Sequence, residues 1–451
     1  MLTVRAAAAA WPDRPFIVDR QGTLTFAAAY ALLPTVPAAV GVVALEVQPT
    51  RADLLRLAAL IDAGVPFLPM HPRLTAAERA AILADADALW WPRGDDLPAA
   101  VRVTGRLDPE APLAIVPTSG SSGRPRGVVL SRRAFAAAAV ASRANLGVQT
   151  NDRWLLALPP AHVGGLSILT RALHDGTAIV PWGDRPFAVE PLLACVETFA
   201  VTLLSLVPTM LHRVLATDAV CPARLRAILL GGAPAPAALL AAAAARRWPV
   251  LTTYGLTEAC SQVATTSPGV TPRRELGVGR PLSGTAVRIV DGRIHLRGPT
   301  LFSGYHPPGV APFDADGWFD TGDLGHLDAT GALHVDGRQA DLVIVGGENV
   351  SPVEVETAAL SVPGIAEACV FGVPDPEWGE RLALVVAPEA TGGPDDAILL
   401  AALRERLARF KCPTLIARAE TLPRRSIDKL DRRSVAAYFT PLLRPLRAPR
   451  Q

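Results

Sequence analysis

Apolar positions along this chain come in short unbroken runs, separated by alanine-rich stretches and by turns. Residues 227–253 show the unit in full. The run AILL (227–230) leads into a Gly-Gly turn, then an alanine-rich stretch of high helix propensity ending in Arg246 and Arg247, then a second run at 250–253. Apolar runs of this length suit strands covered on both faces, and a helix between two of them makes a βαβ unit. Up to about residue 340 the repetition of such units predicts parallel sheets with helices packed on them. Two further runs, 114–116 and 128–130, flank the turn-rich stretch 117–127. Between 292 and 337 turns crowd together with short strands, which predicts a small β-rich layer. Beyond it the spacing predicts a helix over 351–362, with Ser351 as its cap and Pro352 at its first position. Strands over 366–374 and 381–389 follow, then an amphipathic helix over 395–410. The change of pattern at 338–341 divides the chain into a large α/β domain, 1–338, and a small α+β domain, 339–451.

Length supports the division, since 451 residues exceed one ordinary core. Composition is globular, half hydrophobic and 19% charged, and a net charge of +2 creates no field that would favour nucleic acid or an anionic membrane. The five cysteines (Cys195, Cys221, Cys260, Cys369, Cys412) form no CxxC pair, so neither a zinc site nor a disulfide framework is indicated. No run approaches the roughly 18 apolar residues of a membrane span. A soluble, cytoplasmic protein with reduced thiols is expected. Of 44 basic residues only Lys411 and Lys429 are lysine, so arginine is the default cation.

The stretch PTSGSSGRPRGVVLS (117–131) carries the candidate chemistry. It fails as a Walker A loop, because Pro125 stands where the second glycine belongs and no lysine follows, and it lacks the dinucleotide fingerprint. Gly120, Gly123 and Gly127 leave backbone N–H groups open, Thr118, Ser119, Ser121 and Ser122 add hydroxyls, and Arg126 adds charge. Such a loop suits a polyphosphate. Taken alone, it is equally readable as an ordinary polar hairpin.

The stretch resembles the phosphate loop of the adenylate-forming superfamily of acyl-CoA synthetases, luciferases and peptide-synthetase adenylation domains. YGLTE (254–258), GWFDTGDLG (317–325), GRQADLVIVGGENVSPVEVE (337–356) and LPRRSIDKLDR (422–432) are similar to further motifs of that superfamily, in the same order. LPPAHVGGLSIL (158–169), LSLVPTMLHRVL (204–215) and ILLGGAPAP (228–236) most resemble its o-succinylbenzoate–CoA ligase branch. The resemblance implies an acyl-CoA synthetase-like α/β fold with a mobile C-terminal lid. It also implies ATP, Mg²⁺, coenzyme A and a small aromatic carboxylic acid as reaction partners.

Site residues follow from the same resemblance. Residues 118–127 would hold the β- and γ-phosphates, and Glu258 with Thr257 would position Mg²⁺. Asp323 would accept the ribose hydroxyls, with Arg338 beside it. Gly232, Ala233 and Pro234, with Thr253, Tyr254 and Gly255, would wall the adenine and substrate ring, glycine admitting a flat ligand close to the backbone. His162 would lie near the reacting carboxylate in the thioester step, and Arg213 is the candidate partner for a second carboxylate on the acid. Gly346 and Gly347 would line the pantetheine channel, and Lys429 would serve adenylation. Three positions depart from the superfamily pattern: Arg126 where lysine is usual, Ala340 where the hinge is often polar, and Asp428 where glycine is common. Another aryl- or acyl-CoA ligase, a carrier-protein adenylation domain and a nucleotide-binding pseudoenzyme stay open at this point, as does a homo-oligomer.

Overall fold

The computed structural model describes residues 2–36, 41–74, 76–93, 107–119, 125–309, 312–345, 348–375, 378–389, 392–424 and 430–446. Four sheets organise them. The first has nine strands, with the apolar runs Arg153–Leu156, Ala178–Pro181, Leu203–Leu206, Ala227–Leu230 and Val250–Leu256 parallel at its centre. Its edges turn antiparallel: Gly22–Thr25 pairs with Pro15–Asp19 on one side, Ser261–Thr265 with Val250–Leu256 on the other. The second sheet, of six strands, joins parallel Val43–Glu46, Phe67–Met70 and Pro112–Ser119 to the antiparallel strand Pro125–Ser131. Both sheets are therefore mixed, where βαβ repetition alone predicted parallel ones. The three antiparallel pairs Pro15–Asp19 with Gly22–Thr25, Val250–Leu256 with Ser261–Thr265 and Pro112–Ser119 with Pro125–Ser131 are each joined by a connection too short to hold a crossover helix.

Helices Arg51–Ala63 and Val163–Asp175 lie in one core with residues of both sheets, Phe16 and Ile17 from the first and Leu45 and Phe67 from the second. They bury residues on every side, as a helix between two sheets must. Each fully buried leucine among them, such as Leu57, Leu60 or Leu166, contributes about 1.5–3 kcal/mol. The layer thus fixes the two sheets against each other.

The predicted β-rich layer is an antiparallel four-stranded sheet, Ala286–Val290, Arg293–Arg297, Phe319–Leu327 and Leu333–Arg338. After the turn Gln339–Asp341 the fourth sheet begins at Val343–Val345, with Ile365–Asp375 and Gly379–Pro388 pairing over their length and helices Pro352–Leu360 and Asp396–Arg406 packed on it. One cap differs from expectation. Ser351 does precede the helix Pro352–Leu360, but its hydroxyl makes no cap and instead donates to the carbonyl of Asp336 at 2.8 Å. Among the described residues no helix is long and apolar enough to cross a membrane.

Candidate active site

The phosphate-loop candidate is the tip of the hairpin formed by Pro112–Ser119 and Pro125–Ser131, with Thr118 opposite Arg126. The Thr118 hydroxyl donates to the Arg126 carbonyl at 3.1 Å and closes the base of the loop. Gly120, Ser121, Ser122 and Gly123 lie outside the described residues. Gly127 is a glycine for packing: a Cβ there would sit 2.5 Å from Ile115 Cγ2 and 3.2 Å from the His306 carbonyl, because strand Gly304–His306 pairs closely alongside.

That neighbouring strand carries a residue the sequence reading missed. The Tyr305 hydroxyl donates to Glu258 Oε1 at 3.1 Å, and the exposed Arg126 guanidinium stands 5.6 Å from the Tyr305 ring centre. Burial, then the Glu258 carboxylate, pushes the Tyr305 phenol up, so it stays a donor. One tyrosine therefore links the phosphate hairpin to the proposed metal carboxylate. Its rarity was the available signal: of only four tyrosines in the chain, two bond to site carboxylates.

Glu258 is presented by a tight turn. Strand Val250–Leu256 ends in the single helical turn Thr257–Ala259, and Cys260 and Ser261 then take left-handed φ values of 51° and 94° to reverse the chain. Side-chain-bearing residues in that region cost about 1–3 kcal/mol each. The strain is held by burial of Ala259 and Cys260 and by the Phe302 N–H, which donates to the Glu258 carbonyl at 2.8 Å. Glu258 and Thr257 offer hard oxygens of the kind Mg²⁺ takes. Among the described residues no group of three His, Cys, Asp or Glu could cage a metal alone. The donor set fits an ion held by one carboxylate and by substrate phosphates.

On the same strand, the Tyr254 hydroxyl donates to Asp323 Oδ2 at 2.6 Å, and Arg338 Nε donates to Asp323 Oδ1 at 2.7 Å. Asp323 is buried in strand Phe319–Leu327, directly across from Arg338 in Leu333–Arg338. Burial, then the Asp323 charge, holds the Tyr254 phenol well above its ordinary range. Each carboxylate oxygen has a second lone pair for a ligand hydroxyl. The hairpin, Tyr305, Glu258, Tyr254, Asp323 and Arg338 thus form one chain of contacts, with the Arg126 cation at one end and the buried Asp323 acceptor at the other.

The glycines beside these contacts correct one expectation. Gly255 does not owe its lack of a side chain to a ligand: a Cβ would fall 1.7 Å from the Ser261 carbonyl, at the bulge where Val250–Leu256 pairs with Ser261–Thr265. Gly231 likewise abuts Thr253, whereas Gly232 is exposed with φ +81°. Ala233 and Pro234 are also exposed, beyond the carboxyl end of Ala227–Leu230, where ligands of open α/β sheets bind.

His162 precedes helix Val163–Asp175 and meets the ring of His71, the centroids 5.6 Å apart. Gly165 lets the first turn of that helix pack on the preceding segment, since a Cβ there would strike the carbonyls of Pro159 at 2.3 Å and Leu158 at 2.6 Å. No contact links Arg213 to these groups among the described residues. It is exposed in the last turn of helix Pro208–Leu215, whose first turn is the end near Gly232, with Val207 Cγ1 3.4 Å from the Cβ position there. A cation there complements the helix dipole.

Lys429, Gly346 and Gly347 lie outside the described residues. The flanks of the Lys429 segment are anchored: Arg424 bridges Leu430, Arg424 pairs with Glu367 at 2.9 Å, and Arg432 pairs with Glu356 and Asp341 at 2.7 Å each. Lys411, the other lysine, is held by both oxygens of Glu354 at 2.7 and 2.8 Å.

Residues 91–306 match the AMP-binding enzyme family, and residues 354–429 match the AMP-binding enzyme C-terminal domain. A 2-succinylbenzoate–CoA ligase of Bacillus velezensis is 40% identical over 368 residues, 79% of this chain and 74% of its own length. The chain belongs to this ligase family. A Bacillus subtilis o-succinylbenzoate coenzyme A synthetase solved with ATP and a magnesium ion is 30% identical and aligns with a TM-score of 0.86 over 96% of this chain and 98% of that one. A double mutant of the B. subtilis synthetase, bound to a product analogue, is 31% identical and aligns at 0.70 over 96% and 97%. The ligase fold thus extends over nearly the whole chain, which is closer in shape to the ATP complex.

Proposed function

We infer that the protein is an AMP-forming acid–thiol ligase that activates 2-succinylbenzoate with ATP and passes the acyl group to coenzyme A, a step of menaquinone biosynthesis. A carboxylate oxygen of the acid attacks the α-phosphorus of ATP, the bond to pyrophosphate breaks, and acyl-AMP forms. The sulfur of coenzyme A then attacks the acyl carbon and AMP leaves with the shared oxygen. The observation that carries the reading is the chain of contacts from Arg126 through Tyr305, Glu258 and Tyr254 to Asp323, which matches in order the phosphate, metal and ribose ends of a nucleotide. Bound Mg²⁺ would sit at Glu258 and Thr257 and neutralise charge on the phosphates. Asp323, aligned by Tyr254 and Arg338, would hold the ribose. His162 would face the reacting carboxylate, and Arg126 would stand in for the usual lysine at the terminal phosphates. Residues 339–451 would act as the lid that brings Lys429 to the first step and the Gly346–Gly347 backbone to the second. The five cysteines are free, which supports a reducing cytoplasmic setting.

Pyrophosphate release tests the reading. With 2-succinylbenzoate and ATP the protein is expected to release pyrophosphate, with turnover only when coenzyme A is added, and benzoate analogues lacking the second carboxylate are expected to be at least tenfold poorer. Equal rates with plain benzoates would assign it to another aryl-CoA ligase. No pyrophosphate with any acid would leave a nucleotide-binding protein without this activity.

A further inference from the structure

His71 opens the turn that follows strand Phe67–Met70, 91 positions before His162 in sequence, and the fold brings the two rings to 5.6 Å with a 40° tilt. His71 is buried, and its Nδ1 accepts the backbone N–H of Arg73 at 3.1 Å. An accepting Nδ1 keeps its lone pair, so the ring is neutral with the proton on Nε2. Protonating it would forfeit that bond. The ring is thus a fixed, uncharged wall against His162.

We propose that His71 is a positioning residue for the coenzyme A step, holding His162 in one ring orientation and keeping it dry and uncharged. The proposal rests on the reading of His162 as the group beside the reacting carboxyl. Its chemical basis is that a neutral imidazole can accept from a thiol or donate to a carbonyl oxygen, whereas an imidazolium can only donate. Burial first, then Arg73, lowers His71 to about 4. Burial first, then His71, lowers His162 to about 4. The described charges that act on the pair are Arg73, on His71's own turn, and each imidazole on the other. Removing the His71 ring would admit water beside His162 and raise its pKa toward the ordinary histidine value.

The sign is fixed. A higher His162 pKa means that the imidazole charges at a higher pH, so the acidic limb of the coenzyme A step moves upward. His71→Asn separates this role from support of the turn, because the Asn side-chain oxygen can still accept the Arg73 N–H. Single-turnover conversion of prepared 2-succinylbenzoyl-AMP to the thioester is followed against pH, and adenylation is followed separately by pyrophosphate release. His71→Asn is expected to slow the thioester step by about tenfold, the scale of a lost orienting contact. It should slow adenylation less, and it should shift the acidic limb upward. A thioester rate and pH profile matching the parent, or equal slowing of both half-reactions with a lowered melting temperature, would overturn the proposal and leave His71 a turn residue. His162→Ala is run beside it. If that change leaves the thioester step intact, the reading of His162 itself falls and takes the proposal with it; if it slows the step while His71→Asn does not, only the role of His71 is lost.

Discussion

Gly255 has no room for a methyl group, and the obstacle is main chain rather than a movable side chain. The Ser261 carbonyl lies 1.7 Å from where Cβ would be, so Gly255→Ala must push apart the strands that place Tyr254 and Glu258. Overpacking against backbone costs about 1–3 kcal/mol, and here it falls on the frame of the site. Gly255→Ala is therefore expected to lower the melting temperature and raise the KM for ATP and for the acid together. A variant with unchanged melting temperature and a raised KM for the acid alone would return Gly255 to the role of a substrate wall. The sequence singled out this glycine but not the Ser261 carbonyl that requires it, since a motif records which residue is needed and not which atom requires it. Asp323, Glu258 and Tyr254 could be singled out because each belongs to a motif of several residues, GWFDTGDLG or YGLTE. His71 was not legible, because its meaning comes from a partner 91 positions away that only the folded layers bring near.

Elements were legible in proportion to their burial. Central strands such as Ala227–Leu230 and Leu203–Leu206 are buried on both faces and read as unbroken apolar runs. Gly304–His306 has three half-buried residues and no pattern, yet it carries Tyr305 to Glu258. The helix Pro352–Leu360 shows how a correct element can hide a wrong detail. Its Ser351 reads as a cap, but the hydroxyl reaches across to the Asp336 carbonyl in strand Leu333–Arg338, on the far side of the turn Gln339–Asp341. That bond ties the C-terminal helix to the preceding sheet, and a rotation about the turn must break it. Ser351→Ala removes about 0.5–1.5 kcal/mol of such a tie while leaving the helix no less capped than before. Expected, therefore, is adenylation slower by about two- to tenfold, the same energy read as a population shift, with the thioester step unchanged or faster. Single-turnover rates of the two half-reactions check it. Equal slowing of both would show that the hydroxyl merely supports the fold.

At the scale of the whole molecule, two half-reactions have to share one nucleotide site, and the geometry suits the first of them. The chain aligns at a TM-score of 0.86 with the ATP-bound synthetase and at 0.70 with the product-analogue complex, although identity and coverage are nearly equal. Near-equal identity and coverage leave that difference to the arrangement of parts, which a pattern of apolar runs does not record, so the hinge proposed at residues 339–341 came from resemblance alone. Lys429 tests that motion. Lysine is two residues among 44 cations, and Lys411 is accounted for by its ion pair with Glu354, so lysine at 429 answers a separate demand. Carboxylate and α-phosphate oxygens converge in the first step, and a compact ammonium fits between them where a planar guanidinium does not. Arg432, bonded to Asp341 in the turn, Glu356 in the helix Pro352–Leu360 and the Val370 carbonyl, and Arg424, bonded to Glu367, fix the two flanks of the Lys429 segment to the C-terminal part of the chain. Lys429→Ala is expected to slow acyl-adenylate formation by about a hundredfold or more, as for a lost preorganised charge partner. Lys429→Arg should recover little of it, because charge without the shape does not fit. Prepared acyl-AMP should still be converted to the thioester at a nearly normal rate, since the lid motion proposed for residues 339–451 would carry residue 429 away before coenzyme A attacks. If both half-reactions slow alike, Lys429 serves the packing of its segment and the two-position account of this ligase fails.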